Sequence, residues 1–223
     1  MNQPITLADR PSLDDLHTYL SRAARVEDGS VRLIAGKGVL AVYTAIIYPR
    51  GLLDDSPTVL GLRTYALADR EAFDSVVPLR SLLERIAYVR DSSGADGTVA
   101  IGRPHEVSTV TWAGISPPRG GWAAHGQAAP ALLEAAARAG IDEVAASIPA
   151  GTGEQLVQRV RGEVWGQPVE GVEHVPAGAA FAAFSLGFLS DDAVQIFETG
   201  PWTRLTTQRG HVLVRRKPWT LKA

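Results

Sequence analysis

The chain reads as an α+β protein, and three observations lead there. A β-branched and aromatic pattern with a tight turn fills Val31 to Tyr48, several segments carry apolar residues at helical spacing, and a run of short strand-like segments closes the chain from Ala193 onward. The expected architecture is an N-terminal antiparallel meander with two helices, residues 1–116. A C-terminal half, residues 117–223, follows with about three helices and a closing strand meander, packed on the first half or continuous with it as one domain.

Pro11, Leu13, Leu16, Leu20, Ala23 and Ala24 form an apolar stripe that predicts a first helix from Pro11 to Arg25, with proline tolerated in its first turn and Asp14 and Asp15 near its positive end. Val31 to Ala35 and Val39 to Tyr48, joined by Gly36-Lys37-Gly38, predict a hairpin, and Thr58 to Leu67 a third strand. Pro49 to Pro57 reads as an exposed loop. Val76, Leu79, Leu82, Leu83, Ile86 and Val89 predict a second helix, followed by strands at Thr98 to Ile101 and Val107 to Trp112. The segment Ser116-Pro117-Pro118-Arg119-Gly120-Gly121-Trp122 excludes both helix and central strand and marks the boundary between the halves.

Beyond it, Ala129 to Gly140 predicts an Ala/Leu helix ending at Gly140, then a short strand from Glu143 to Ile148. Thr152 and Gln155 fit a capping box that opens a helix through Val164. Pro168 to Pro176 reads as loop and Gly178 to Leu189 as a buried helix. Ala193 to Glu198, Trp202 to Thr207 and His211 to Arg216 make up the closing meander, with its last turn at Arg209-Gly210.

Composition bounds the function. The 223 residues are 45% hydrophobic and 21% charged, as in ordinary soluble proteins, and no cysteine is present. Disulfides, thiolate metal sites and cysteine nucleophiles are therefore excluded. The most apolar stretch, Ala177 to Leu189, is thirteen residues long, short of the roughly 20 needed to cross a bilayer. No membrane partner is expected, and with no secretory pattern at the N-terminus the expected location is cytoplasmic.

The sharpest local signal lies at the end. Pro201 to Ala223 contains no acid but carries six basic residues: Arg204, Arg209, Arg215, Arg216, Lys217 and Lys222. Of the 22 Lys+Arg and 24 Asp+Glu in the chain, 16 and 24 remain in residues 1–200, a formal charge of −8 against +6 for the tail. Arginine supplies a planar fork of donors for phosphate or carboxylate, and tryptophan a stacking face. Arg119, Trp122, Trp202, Arg204, Arg209, His211, Arg215 and Arg216 are accordingly the candidate residues for an anionic partner, a small ligand or nucleic acid. Within His211–Arg216, strand alternation puts His211 and Arg215 on one face and Arg216 on the other. The bland alternative is an edge strand whose charges guard against aggregation.

No catalytic centre is legible. The five histidines fall in separate segments without a pair at ligand spacing, no G-x-S-x-G elbow or P-loop is present, and the doubled aspartates suit helix starts and turns. Neither a cofactor nor a metal is expected from local motifs. The chain reads as a protein of unknown function that binds or regulates. The alternatives are an enzyme acting on a small molecule or nucleotide around Ser116–Trp122, and a structural subunit of a homo-oligomer.

Overall fold

The structure is a computed structural model, and it describes residues 4–51, 54, 56–92, 97–108, 110–149 and 151–215. The chain is α+β, with five α-helices among the described residues and a large antiparallel sheet. It divides into two compact units, Met1–Ala45 with Leu62–Gly114, and Ile46–Gly61 with Ile115–Ala223.

In the first unit the elements are β1 (Ile5–Leu7), α1 (Arg10–Val26), β2 (Ser30–Gly36), β3 (Val39–Ile47), β4 (Thr58–Ala66), β5 (Phe73–Pro78), α2 (Leu79–Ser92) and β6 (Val99–Ile101). A single 3₁₀ turn, Thr111–Gly114, ends it. Strands β3 and β4 each have residues in both units. Helix α1 starts where Asp9, in extended conformation, accepts a 2.7 Å hydrogen bond from the Ser12 N–H. That bond satisfies one of the four orphan donors of a helix start. Leu13, Leu16, Tyr19, Leu20 and Ala23 of α1 and Leu79, Leu82 and Ile86 of α2 are buried together with Val31, Leu33, Leu40 and Val42 of the sheet. Each such leucine contributes about 1.5–3 kcal/mol. The β2–β3 turn is tight because Lys37 and Gly38 both take positive φ, 54° and 80°, as a two-residue hairpin turn of the primed kind demands.

The second unit holds β7 (Ala123–Ala128), α3 (Pro130–Ser147), α4 (Glu154–Gly166), β8 (Pro168–Val169), β9 (Val172–Pro176), α5 (Ala177–Ser185), β10 (Val194–Thr199), β11 (Trp202–Thr207) and β12 (Gly210–Arg215). Alanines 177, 179, 180, 182 and 183 and Gly178 of α5 are all buried. Small side chains let α3 and α4 approach this helix closely, and Trp165 of α4 stacks on Phe181 with ring centroids 4.2 Å apart. The strand order of the large sheet is β5-β2-β3-β4-β12-β11-β10-β7, with β1-β6 and β8-β9 as separate pairs. Among the described residues, no helix is long and apolar enough to cross a membrane.

Several local expectations are corrected. The second helix begins at Leu79, not Val76, because Val76 and Val77 precede Pro78 and lie on β5; the residue before a proline is pushed out of the helical region. Glu143–Ile148 is not a strand, since α3 runs on to Ser147. Gly140 is therefore an interior residue of that helix. Thr152 does not cap α4; Gly153 holds the N-cap position, and the Thr152 hydroxyl donates to the Pro149 carbonyl at 2.6 Å. Residues 168–176 form the β8–β9 hairpin rather than a loop. No strand appears among the described residues of 107–112, although the Val107 N–H donates to the Val76 carbonyl at 2.8 Å. Strand β12 is not an edge strand, because β11 and β4 flank it. Arg216 lies outside the described residues, as do Lys217, Trp219 and Lys222.

Candidate functional site

Two short turns build the candidate face. Gly200-Pro201 connects β10 to β11, which pairs Phe197 with Arg204 and Thr199 with Trp202. Gln208-Arg209 connects β11 to β12, which pairs Arg204 with Leu213, Thr206 with His211 and Trp202 with Arg215. Directly paired residues share a face, and alternation then puts Phe197, Trp202, Arg204, Thr206, His211, Leu213 and Arg215 all on one side of the sheet. The basic residues of the closing meander are brought to one face by the pairing of different strands.

Arg204 sits at the centre. Its guanidinium carbon is 4.6 Å from the centroids of both the Trp122 and the Phe197 rings. Trp122 is itself fixed, since its indole N–H donates to the Pro118 carbonyl at 3.0 Å. Partial burial pulls the Arg204 pKa below the ordinary arginine value, yet arginine remains charged at any physiological pH. A cation over aromatic rings gains about 0.5–2 kcal/mol, more as it is desolvated. The Arg204 Nε is buried without a hydrogen-bond partner among the described residues, so the side chain is held by ring faces and not by an acid. His211, next to it, shares a 3.1 Å hydrogen bond with the Thr206 hydroxyl. Burial, and then the Arg204 charge, lower its pKa and keep the imidazole neutral at pH 7.

The remaining candidates fall in different places. Trp202 is buried in the same sheet face, and Arg215 is exposed opposite it. Arg119 is exposed in the 115–122 segment, which contains neither helix nor strand. Arg209 is turned toward the backbone, where its Nη1 donates to the carbonyls of Leu189 at 3.1 Å and Gly187 at 3.5 Å, just past the end of α5. Arg204, Arg209 and Arg215 pair with no acid among the described residues. Phe197 is the residue that sequence reasoning missed. The two-residue turn at Gly200-Pro201 carried the signal, since it dictates which residue stands opposite Arg204.

A second cluster was also invisible in the sequence. His125 of β7, His174 of β9 and Glu198 of β10 come together on the other side of β10, with one ligand atom from each within 4.8 Å of the others.

Comparison with known proteins adds the fold. Residues 1–110 match the model of a domain of unknown function (DUF8010), and residues 117–219 that of a second domain of unknown function (DUF8185). No curated protein matches the chain. Among solved structures it resembles the DnaN sliding clamp (DNA polymerase III subunit beta) of Bartonella birtlesii, at 13% identity and a TM-score of 0.54, over 99% of this chain and 67% of that one. The DNA polymerase sliding clamp of Caulobacter crescentus is similar at 12% identity and a TM-score of 0.52, over 99% and 67%. For that of Pseudomonas aeruginosa the values are 15% and 0.51, over 99% and 66%. The likeness is one of fold, and the chain spans about two thirds of the length of these clamps.

Proposed function

We propose that the protein is a cytoplasmic, non-catalytic binding protein that holds an anionic partner, nucleic acid first among the candidates, on the aromatic and basic face of β11 and β12. The observation that carries this reading is the convergence of Arg204, His211 and Arg215 with Trp122 and Phe197 on one sheet face, with no acid paired to either arginine among the described residues. A fixed guanidinium suits phosphate, and the half-buried rings of Trp122 and Phe197 offer stacking faces for bases. The fold's likeness to DNA polymerase sliding clamps supports DNA as the first polymer to try.

The test is binding of labelled single- and double-stranded DNA and RNA at about 50 and about 200 mM salt, where phosphate contacts give a steep loss of affinity. Arg204→Ala and Arg215→Ala are each expected to weaken binding across sequences and to lower the salt slope by about 1. Point substitutions are required, because removing the chain after Gly200 would take out two inner strands of the sheet. Salt-insensitive or absent binding by the intact protein, or variants that bind as well as the parent, would overturn the reading.

Self-association belongs to the same reading. Strands β5 and β7 end the strand order among the described residues, and a terminal strand is a template for pairing with another chain. Sedimentation equilibrium is expected to give a mass above that of one 23.7 kDa chain; a monomer at all concentrations would remove this part.

A further inference from the structure

We infer that His125, His174 and Glu198 form a binding site for one divalent transition-metal ion of the zinc class. The site lies in the second unit, where β7 meets β10. The register between these strands shifts at Ile196/Phe197: Ile196 pairs with Gly126 and Phe197 with Ala124, which leaves His125 as the extra residue of a bulge. A bulge re-aims the side chain it carries, and here His125 Nδ1 stands 3.5 Å from Glu198 Oε2. The β8–β9 hairpin delivers the third group, with the His174 ring centroid 4.3 Å from that of His125 and the rings inclined at 61°.

The distances fit a metal. Zinc binds imidazole nitrogen and carboxylate oxygen at about 2.0–2.2 Å, so two ligands of a tetrahedral ion stand roughly 3.3–3.6 Å apart. The His125–Glu198 separation already has that value, and all three ligand atoms lie within 4.8 Å of one another. The remaining separations, none above 4.8 Å, must shorten when the ion binds. A set of two imidazoles and one carboxylate favours zinc, cobalt or nickel over magnesium and calcium, which take oxygen ligands. The carboxylate is also steadied from behind: Glu198 Oε1 accepts a 3.4 Å hydrogen bond from the hydroxyl of Thr203, a residue with 0% exposure. Such outer hydrogen bonds orient a ligand. His125 is 47% exposed along its side chain. Three protein ligands with one side open to solvent leave a fourth position for water or an incoming group, as in reactive zinc sites.

This inference does not depend on the nucleic-acid reading. Phe197 and Glu198 are adjacent on β10 and point to opposite faces of the sheet, so either proposal can fail alone.

The experiment uses the full chain, purified without a polyhistidine tag and stripped of metal. Zn²⁺ is titrated by calorimetry, and Co²⁺ by visible absorption, which reports a tetrahedral site directly. The expected result is one ion per chain, with affinity lowered at least about tenfold in His125→Gln and in Glu198→Gln and unchanged in His105→Gln, whose side chain lies in the other unit. A further measurement needs no variant: in a spectrum of the histidine side chains of the unmodified protein, one equivalent of Zn²⁺ is expected to shift two of the five imidazoles. No stoichiometric binding, variants as tight as the parent, or perturbation of a different number of histidines would overturn the assignment.

Discussion

Gly140 stands where a side chain would collide with its neighbour. A Cβ built on it would lie 2.4 Å from Cζ3 of Trp165, far inside any real contact. Alanine is the better helix former by about 1 kcal/mol, but overpacking a rigid ring costs about 1–3 kcal/mol, and packing wins because Trp165 is itself locked by Phe181. Gly140→Ala is expected to lower the urea midpoint of unfolding, and the loss should shrink when Trp165→Phe is added. An unchanged or raised midpoint in the single variant would show that the α3–α4 contact yields. The sequence made Gly140 look like a helix end, because a glycine after an alanine run is the usual stop signal. Only the partner ring, twenty-five residues away in sequence, reveals that its smallness serves packing.

Among elements, the basic closing meander shows what could be read from the chain and what could not. Strands β10, β11 and β12 were legible because their β-branched residues alternate and their turns are short, and the same turns set Phe197 against Arg204. Strand β7 was not legible. Its sequence, Ala-Ala-His-Gly-Gln-Ala, holds no β-branched or aromatic residue, so its extended state comes from the ladder that β10 offers, as tertiary pairing overrides propensity. With β7 unseen, neither the seat of Trp122 beside it nor the meeting of His125 with Glu198 could be anticipated. Position within the meander also separates its arginines by role. Arg209 at the β11–β12 turn donates to the carbonyls of Gly187 and Leu189, just past the end of α5, whereas Arg204 and Arg215 point from the sheet face. Arg209→Ala is expected to cost no more than about 1 kcal/mol of stability, seen as a small drop in melting temperature, with nucleic-acid affinity close to the parent's. A loss of binding equal to that of Arg204→Ala would mean that the turn, and not the face, makes the contact.

For the molecule as a whole, acid is the condition that tests the fold in both units at once. His17, in the first unit, is partly buried and receives a 3.0 Å contact from Arg90 Nη1 at its Nδ1, while Arg90 Nε donates to Asp14 at 2.7 Å. Burial and then the Arg90 charge lower the His17 pKa, against the opposing pull of Asp14. His211, in the second unit, is lowered by burial and then by Arg204. Both imidazoles thus take up a proton at a lower pH when folded than the value near 6.5 at which they do so once unfolded. Where the unfolded chain binds more protons, stability rises with pH. The contribution of these two imidazoles to the folding free energy is therefore flat above about pH 7.5 and declines as pH falls through about 6.5 toward the lower folded values. The carboxylates add a separate, more acidic window. Asp9 and Glu173, lowered chiefly by backbone hydrogen bonds, stabilise the fold above their unfolded values, roughly pH 4, and that contribution is lost only below them. Urea midpoints measured from pH 8 to pH 5 are expected to drop across the histidine window. His17→Gln and His211→Gln should each remove part of the slope, and the double variant most of it. A midpoint that stays level or rises on acidification to pH 5 would mean that both imidazoles accept protons in the folded state, with Arg90 and Arg204 displaced from their neighbours.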